Sequence, residues 1–293
     1  MQNITVIILT FNEESNLPHA LDSVAGWANQ IFIVDSYSTD KTIDVALEYK
    51  ARHPEIKVCQ HEFVDYSKQW NWALESLPIT AKWTLKLDAD ERVTEPFKRE
   101  FEQKCTDEAS FEGVFFRRRI FFLGKPLRYC GTSSNYDLRL WKSGACEFDG
   151  RSFNEHATVG GSTIEFRSSI DHRDTKSISD WIDKQNRYAS MEVRLWTQND
   201  ITGNVKPRLL GNSLERRMWM NNLWFLLQLR ELPYFLYRYV LKLGFLDGVA
   251  GLHYCIMTIS TAYWKRLKFR EYKQTGHLPE VSWPTRGKPD PRL

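Results

Sequence analysis

Cysteine is sparse in this chain and forms no pattern. Cys59, Cys105, Cys130, Cys146 and Cys255 are odd in number and widely spaced, with no Cys-x-x-Cys pair. That excludes a disulfide framework and a cysteine zinc site and fits a reducing compartment. Glycine-rich phosphate loops are missing as well. No Gly-x-Gly-x-x-Gly follows the first apolar run and no Walker A sequence occurs, which weakens a dinucleotide-binding Rossmann reading and removes a P-loop NTPase. The start of the chain has no basic stretch followed by an apolar one, so no secretory signal peptide is expected. The uncharged stretch from 248 to 264 includes His253, two glycines and three hydroxyl residues. It falls short of the ~20 mostly apolar residues that a spanning helix needs.

Aromatic residues, by contrast, are plentiful: 14% of 293 residues, with 11 Trp. Thirteen of the aromatic residues fall within residues 207–273. Net charge is +3, unevenly spread, because residues 207–273 carry eleven Lys or Arg against four acids while the residues before them are net acidic. An acidic front and a basic, aromatic back imply two parts with different surroundings.

The front alternates short β-branched runs with helical patterns. Ile4 to Leu9 is apolar without alternation, as expected of a strand buried on both faces of a parallel sheet. A helix with Leu17, Leu21 and Val24 on one face follows. Ile31 to Val34, a helix over 42–51, Ile56 to Cys59, a helix near 68–77 and a strand from Trp83 repeat the unit. Such alternation predicts βαβ units and a mostly parallel sheet. Each strand would release a polar loop at one edge: Thr10-Phe11-Asn12-Glu13, then Asp35-Ser36-Tyr37-Ser38-Thr39-Asp40, then Asp88-Ala89-Asp90-Glu91. Open α/β sheets bind ligands at that edge. Two carboxylates at i, i+2 leaving a strand can meet in one crevice. Hard oxygens suit Mg²⁺ or Mn²⁺, and Mg²⁺ favours one or two carboxylates plus substrate phosphates. The plainer alternative is that the acids make a solvated turn before a helix, where the dipole favours them. Asp35 can accept from a base or ribose donor. Ser38, Thr39 and Asp40 equally suit helix capping.

Three motifs together, I-I-L-T-F-N-E-E, I-V-D-S-Y-S-T-D-K-T and L-K-L-D-A-D-E-R, resemble the family-2 glycosyltransferases of the GT-A fold, nearest to the lipopolysaccharide-core β-glucosyltransferases. The resemblance is dense over 1–95 and patchier to about 270. It implies an α/β GT-A nucleotide-sugar domain and inverting displacement at an anomeric carbon. By position it puts Thr10, Phe11, Asn12 and Glu13 beside the nucleotide with Ser38, and Asp35 at the uracil or ribose. Asp88 and Ala89 then approach the ribose and diphosphate, and Asp90 the metal. Lys68 and Asn71 match the family's basic helix start and are diphosphate candidates, or else plain helix-surface residues.

Further along, Asp137-Leu-Arg-Leu-Trp141 alternates as a strand with Asp137 and Arg139 on one face. Phe153-Asn154-Glu155-His156 keeps the Glu of the family's His-Glu pair and has Asn154 in place of the His. An inverting transfer needs a general base for the acceptor hydroxyl. Glu155 is the expected base and Asp137 the alternative. His172, ending another β-like run, is a candidate third ligand beside Asp90 and Asp88, or an ordinary packing residue.

Residues 207–273 interleave Trp, Tyr and Phe with Arg and Lys, as an interfacial amphipathic helix requires. Long aliphatic runs such as Leu223 to Leu229 fit lipid better than the stacking of single-stranded nucleic acid.

These readings give a catalytic domain over 1–206, a membrane-associating helical region over 207–273 and an extended Pro-rich tail over 274–293. The expected enzyme moves a sugar, glucose favoured, from a UDP-sugar in β-linkage to a lipid-linked or lipopolysaccharide-core acceptor. It would use Mn²⁺ or Mg²⁺ and lie peripherally at the cytoplasmic face of the bacterial inner membrane, with no nucleic-acid partner. A sugar-phosphate nucleotidyltransferase and a noncatalytic membrane or glycan adaptor are the alternatives.

Overall fold

The structure is a computed structural model that describes residues 2–132, 136–149, 156–197 and 231–293. Two compact units emerge. The first comprises residues 1–128, 132–176 and 284–293; the second comprises 129–131 and 177–283.

The first unit is built on a nine-stranded sheet. Strands β1 (Gln2–Thr10), β2 (Ala28–Asp35), β3 (Ile56–Gln60) and β4 (Trp83–Asp88) run parallel in the order β3-β2-β1-β4. Helices α1 (Leu17–Val24), α2 (Thr42–Arg52) and α3 (Tyr66–Ser76) make the crossovers. The β-branched runs are fully used. In β1, Ile4, Val6 and Ile8 pack in one cluster with Leu17, Leu21 and Val24 of α1, while Ile7 packs in another with Phe32, Val34 and Trp70. Apolar side chains on both faces are why these strands show no polar alternation. α3 starts at Asp65, whose side chain accepts from Lys68 N.

Beyond β4 the sheet continues through β8 (Tyr136–Lys142), β6 (Gly113–Phe122) and β11 (Thr163–His172), ending at the two-residue β5 (Glu91–Arg92). β8 is antiparallel to both β4 and β6, and β6 is parallel to β11. A short β7 (Lys125–Pro126) pairs with β6, and β9 (Cys146–Phe148) pairs with β10 (Ala157–Val159) apart from the main sheet. Helix α4 (Glu95–Lys104) buries Phe97 and Phe101 in the main core.

The second unit is helical. Ser177 and Asp180 form a reciprocal cap at the start of α5 (Ile178–Thr197): Asp180 N donates to Ser177 Oγ (3.1 Å) and Ser177 N to Asp180 Oδ2 (3.0 Å). α6 (Glu231–Leu236) runs through a π-type turn (Tyr237–Leu241) and a 3-10 turn (Gly244–Asp247) into α7 (Gly248–Thr275). α5 and α7 are joined by Lys268 Nζ to Ser190 Oγ (2.6 Å), by the Lys265–Glu192 ion pair and by Trp196 edge-on to Phe269. No single helix among the described residues is long and apolar enough to cross a membrane. Glu231–Leu241 and Gly244–Thr275 would be together, but they are bent by 69°. The part of the expected membrane-associating region before 231 lies outside the described residues.

Candidate active site

β4 stops at Asp88. Ala89 and Asp90 make a turn, and the chain re-enters the sheet as β5. β5 pairs antiparallel with the end of β11 in the register His172↔Glu91 and Asp171↔Arg92. This pairing brings His172 to the acidic turn: its Nδ1 lies 3.3 Å from Asp90 Oδ1 and 3.9 Å from Glu91 Oε1. Burial alone would lower the pKa of His172, but the charges of Asp90 and Glu91 outweigh it and raise it.

Arg139 of β8 clasps the turn from the other side. Its Nη1 donates to both Glu91 oxygens (3.0 and 2.8 Å) and its Nη2 to Asp88 Oδ2 (3.0 Å). Glu91 is 0% exposed and also accepts the Asp88 N–H at 2.9 Å. Burial would raise the pKa of Asp88, yet the Arg139 guanidinium beside it holds the carboxyl well below the usual carboxylate range. Arg118 of β6 extends the network, with Nη1 3.5 Å from Glu91 Oε1 and Nη2 donating to Asp137 Oδ2 at 3.0 Å. Glu13 approaches from β1. It accepts from Lys176 Nζ (2.6 Å) and Asn16 Nδ2 (2.8 Å), and burial raises its pKa against the pull of Lys176, with the Asp90 charge adding to the rise.

The donor set fits a hard divalent ion that shares its shell with phosphate. Asp90 and Asp88 offer carboxylates and His172 an imidazole. Among the described residues no group of three or more His, Cys, Asp or Glu is placed to hold a metal ion by itself.

Two strands from β4 along the same edge lies Asp35, 0% exposed. It accepts from Thr10 Oγ1 (3.1 Å), from Ser38 N (3.0 Å), from Ser38 Oγ and from Gln60 Nε2 (2.9 Å). Those four bonds fill the acceptor positions of a carboxylate. Asn12, held at φ 55°, takes Thr39 N on its Oδ1 (2.8 Å) and gives its own N–H to Ser38 Oγ (2.8 Å). Asn12, Ser38 and Thr39 thus stitch the two loops together. Phe11 is half-buried beside them. On α3, Asn71 closes a two-way bond with the Phe148 backbone (3.1 and 2.9 Å), and Lys68 is 70% exposed, 3.2 Å from Asp65. Glu155 and Asn154 lie outside the described residues.

Residues 5–124 match the family model described as glycosyl transferase family 2. An uncharacterized glycosyltransferase of Rickettsia felis is 23% identical over 205 residues, 66% of this chain and 70% of the relative. The lipopolysaccharide core biosynthesis glycosyltransferase LpsC of Rhizobium meliloti is 23% identical over 262 residues, 89% of this chain and 92% of LpsC. Over residues 5–124, then, the chain is similar to the family-2 glycosyltransferases. Among solved structures, the mannosyltransferase PcManGT of Pyrobaculum calidifontis, in complex with GDP-Man and Mn²⁺, aligns with a TM-score of 0.50 at 13% identity, covering 92% of this chain and 87% of that one. That likeness concerns the fold, which is GT-A.

Within this glycosyltransferase the structure brings Asp88, Asp90, Arg139, Asp137, His172 and Glu13 into one cluster and Thr10, Asn12, Asp35 and Ser38 into a second. Lys68 and Asn71 stand apart from both in their contacts. The sequence reading passed over Glu91, Arg118, Gln60 and Lys86. Lys86 is buried on β4 with its ammonium 4.8 Å from the Trp70 ring centroid. A lysine two residues before Asp88, inside an otherwise apolar strand, was a visible signal that it shares that face.

Proposed function

We propose that this glycosyltransferase moves a hexosyl group, glucose favoured, from a UDP-sugar to a lipid-linked or lipopolysaccharide-core glycan, with inversion to a β-linkage. The observation that carries the reading is the carboxylate turn Asp88-Ala89-Asp90 at the carboxyl edge of β4, backed by Arg139 and faced by His172. Asp90 and His172, with Asp88, would hold Mn²⁺ or Mg²⁺. When bound, the ion supplies positive charge to the diphosphate oxygens.

The chain's own groups carry the rest. Arg139 fixes Asp88 and keeps it ionised, so the turn stays negative at neutral pH. The acceptor hydroxyl loses its proton to a carboxylate as its oxygen bonds to the anomeric carbon, while the carbon–oxygen bond to the diphosphate breaks and UDP departs. Glu155 takes the base role from the sequence. Asp137 is engaged with Arg118, which makes it the weaker base.

LpsC, named for lipopolysaccharide core biosynthesis, supports a glycan acceptor held at a membrane. So does the second unit, where Leu241 is 73% exposed and Leu232, Val249, Leu246, Val240 and Phe245 are exposed beside Arg238 and Lys242. Apolar side chains flanked by cations suit an anionic lipid surface, here the cytoplasmic face of the bacterial inner membrane.

The reading is tested by incubating the enzyme with UDP-glucose, UDP-galactose, UDP-GlcNAc and a GDP-sugar, plus core oligosaccharide, and assigning the product anomer by NMR. A β-linked product from one UDP-sugar, lost in Glu155→Gln while UDP still binds, is expected. An α-linked product, or full turnover in Glu155→Gln, would contradict it.

A further inference from the structure

Residues 284–293 pack on the nucleotide edge of the first unit. Gly287 N donates to Tyr37 O at 2.8 Å, in the loop that follows β2. A Cβ at position 287 would lie 3.0 Å from Ser38 O and 3.3 Å from Tyr37 O, so glycine is what permits this approach. Arg292 Nη1 donates to Asp44 Oδ1 at 2.7 Å, tying the far end of the strap to α2. Pro284, Pro289 and Pro291 stiffen the segment between these points.

The central contact is to Gln60. Asp290 N donates to Gln60 Oε1 at 2.6 Å, while Gln60 Nε2 donates to Asp35 Oδ2 at 2.9 Å. Asp35 and Gln60 are register partners at the ends of β2 and β3. Because the carboxylate only accepts, it fixes which way the amide turns, and Oε1 must face away from it. Gln60 is therefore a pre-oriented acceptor on the nucleotide edge, beside an Asp35 whose own acceptor positions are filled. A backbone N–H now occupies it.

We propose that Gln60 Oε1 reads the base of the donor nucleotide by accepting the ring N–H of uracil, and that the Asp290 N–H stands in for that group when no nucleotide is bound. The inference rests on the UDP-sugar reading above. Cytosine offers a ring acceptor where uracil offers a donor, so Gln60 would face it with two acceptors opposed and reject it. The strap must give up Gln60 for the base to bind, and it lowers apparent affinity by the fraction of time that it stays.

Calorimetric titration of the full chain with UDP and with CDP tests this, in wild type, Gln60→Met and Asp290→Pro, with thermal melts to show that each variant is folded. Gln60→Met should cut the preference for UDP over CDP by about tenfold or more. Asp290→Pro, which deletes the competing N–H and the carboxylate that holds Arg292 in a segment already rich in proline, should tighten UDP binding several-fold and keep the preference. An unchanged UDP-to-CDP ratio in Gln60→Met, or weaker UDP binding in Asp290→Pro, overturns the assignment. Wild type that binds no uridine nucleotide would remove the donor reading itself. Wild type that binds UDP alongside an unresponsive Gln60→Met removes only the role of Gln60.

Discussion

Removing the Arg139 guanidinium would leave Glu91 fully buried and Asp88 without its cation, since one side chain serves both. Breaking a buried pair by deleting one partner costs more than never having built it, because the charge left behind keeps its desolvation penalty. Arg139→Met is expected to lower the unfolding free energy by about 3–5 kcal/mol, measured by chemical denaturation. Little of this clasp was legible. Asp88 and Asp90 stood out because they interrupt an alternating strand, and Arg139 because it shares a face with Asp137. Glu91 looked like one more acid in a polar turn. Its partner lies 48 residues away, and sequence spacing carries no trace of such a pairing. Asn12, Ser38 and Asn71 teach the converse. Their residue types suit ligands and backbone stitching equally, and the structure puts them on backbone groups of neighbouring loops and strands.

Strands and helices of the parallel half were legible because each has a clean period. β1 to β4 and α1 to α3 fall where apolar runs and helical spacing put them. β5, β7, β9 and β10 were not, since two or three residues have no period to read. Yet β5 places His172. Glu100 of α4 shows the same reach across the fold. The β6–β11 register shifts between Glu165 and Ser169, and Glu100 accepts the N–H groups of Arg167 (3.0 Å) and Ser168 (2.8 Å) as well as Lys104 Nζ (2.7 Å). Burial pushes its pKa up, but these donors prevail and hold it at about 2, against an ordinary 4.5. A carboxyl depressed on folding stabilises above its unfolded pKa, and that contribution fades as pH falls toward the folded value. The unfolding free energy should therefore decline between about pH 4.5 and pH 2. In Glu100→Gln this part of the decline should be absent, with lower stability at neutral pH. A denaturation series at stepped pH checks both.

At the scale of the molecule, the charge asymmetry marked a boundary near residue 207, whereas the compact units divide at 176/177 and return residues 284–293 to the first. Composition does not shift at Ser177. Two of the strap's contacts, from Gly287 N and Asp290 N, run through backbone N–H groups, which leave no side-chain signature. The exposed apolar residues at the α6–α7 bend predict a surface activity. Leu241→Asp with Phe245→Asp should weaken binding to anionic vesicles by about tenfold or more in a flotation assay, and raised salt should weaken binding of the unaltered protein. Metal-assisted transfer at the Asp88–Asp90 turn is checked by UDP release from UDP-glucose with Mn²⁺ and with EDTA, for wild type and Asp90→Ala. Release that needs Mn²⁺ and vanishes in Asp90→Ala is the predicted result. Release that persists in EDTA or in Asp90→Ala would contradict it.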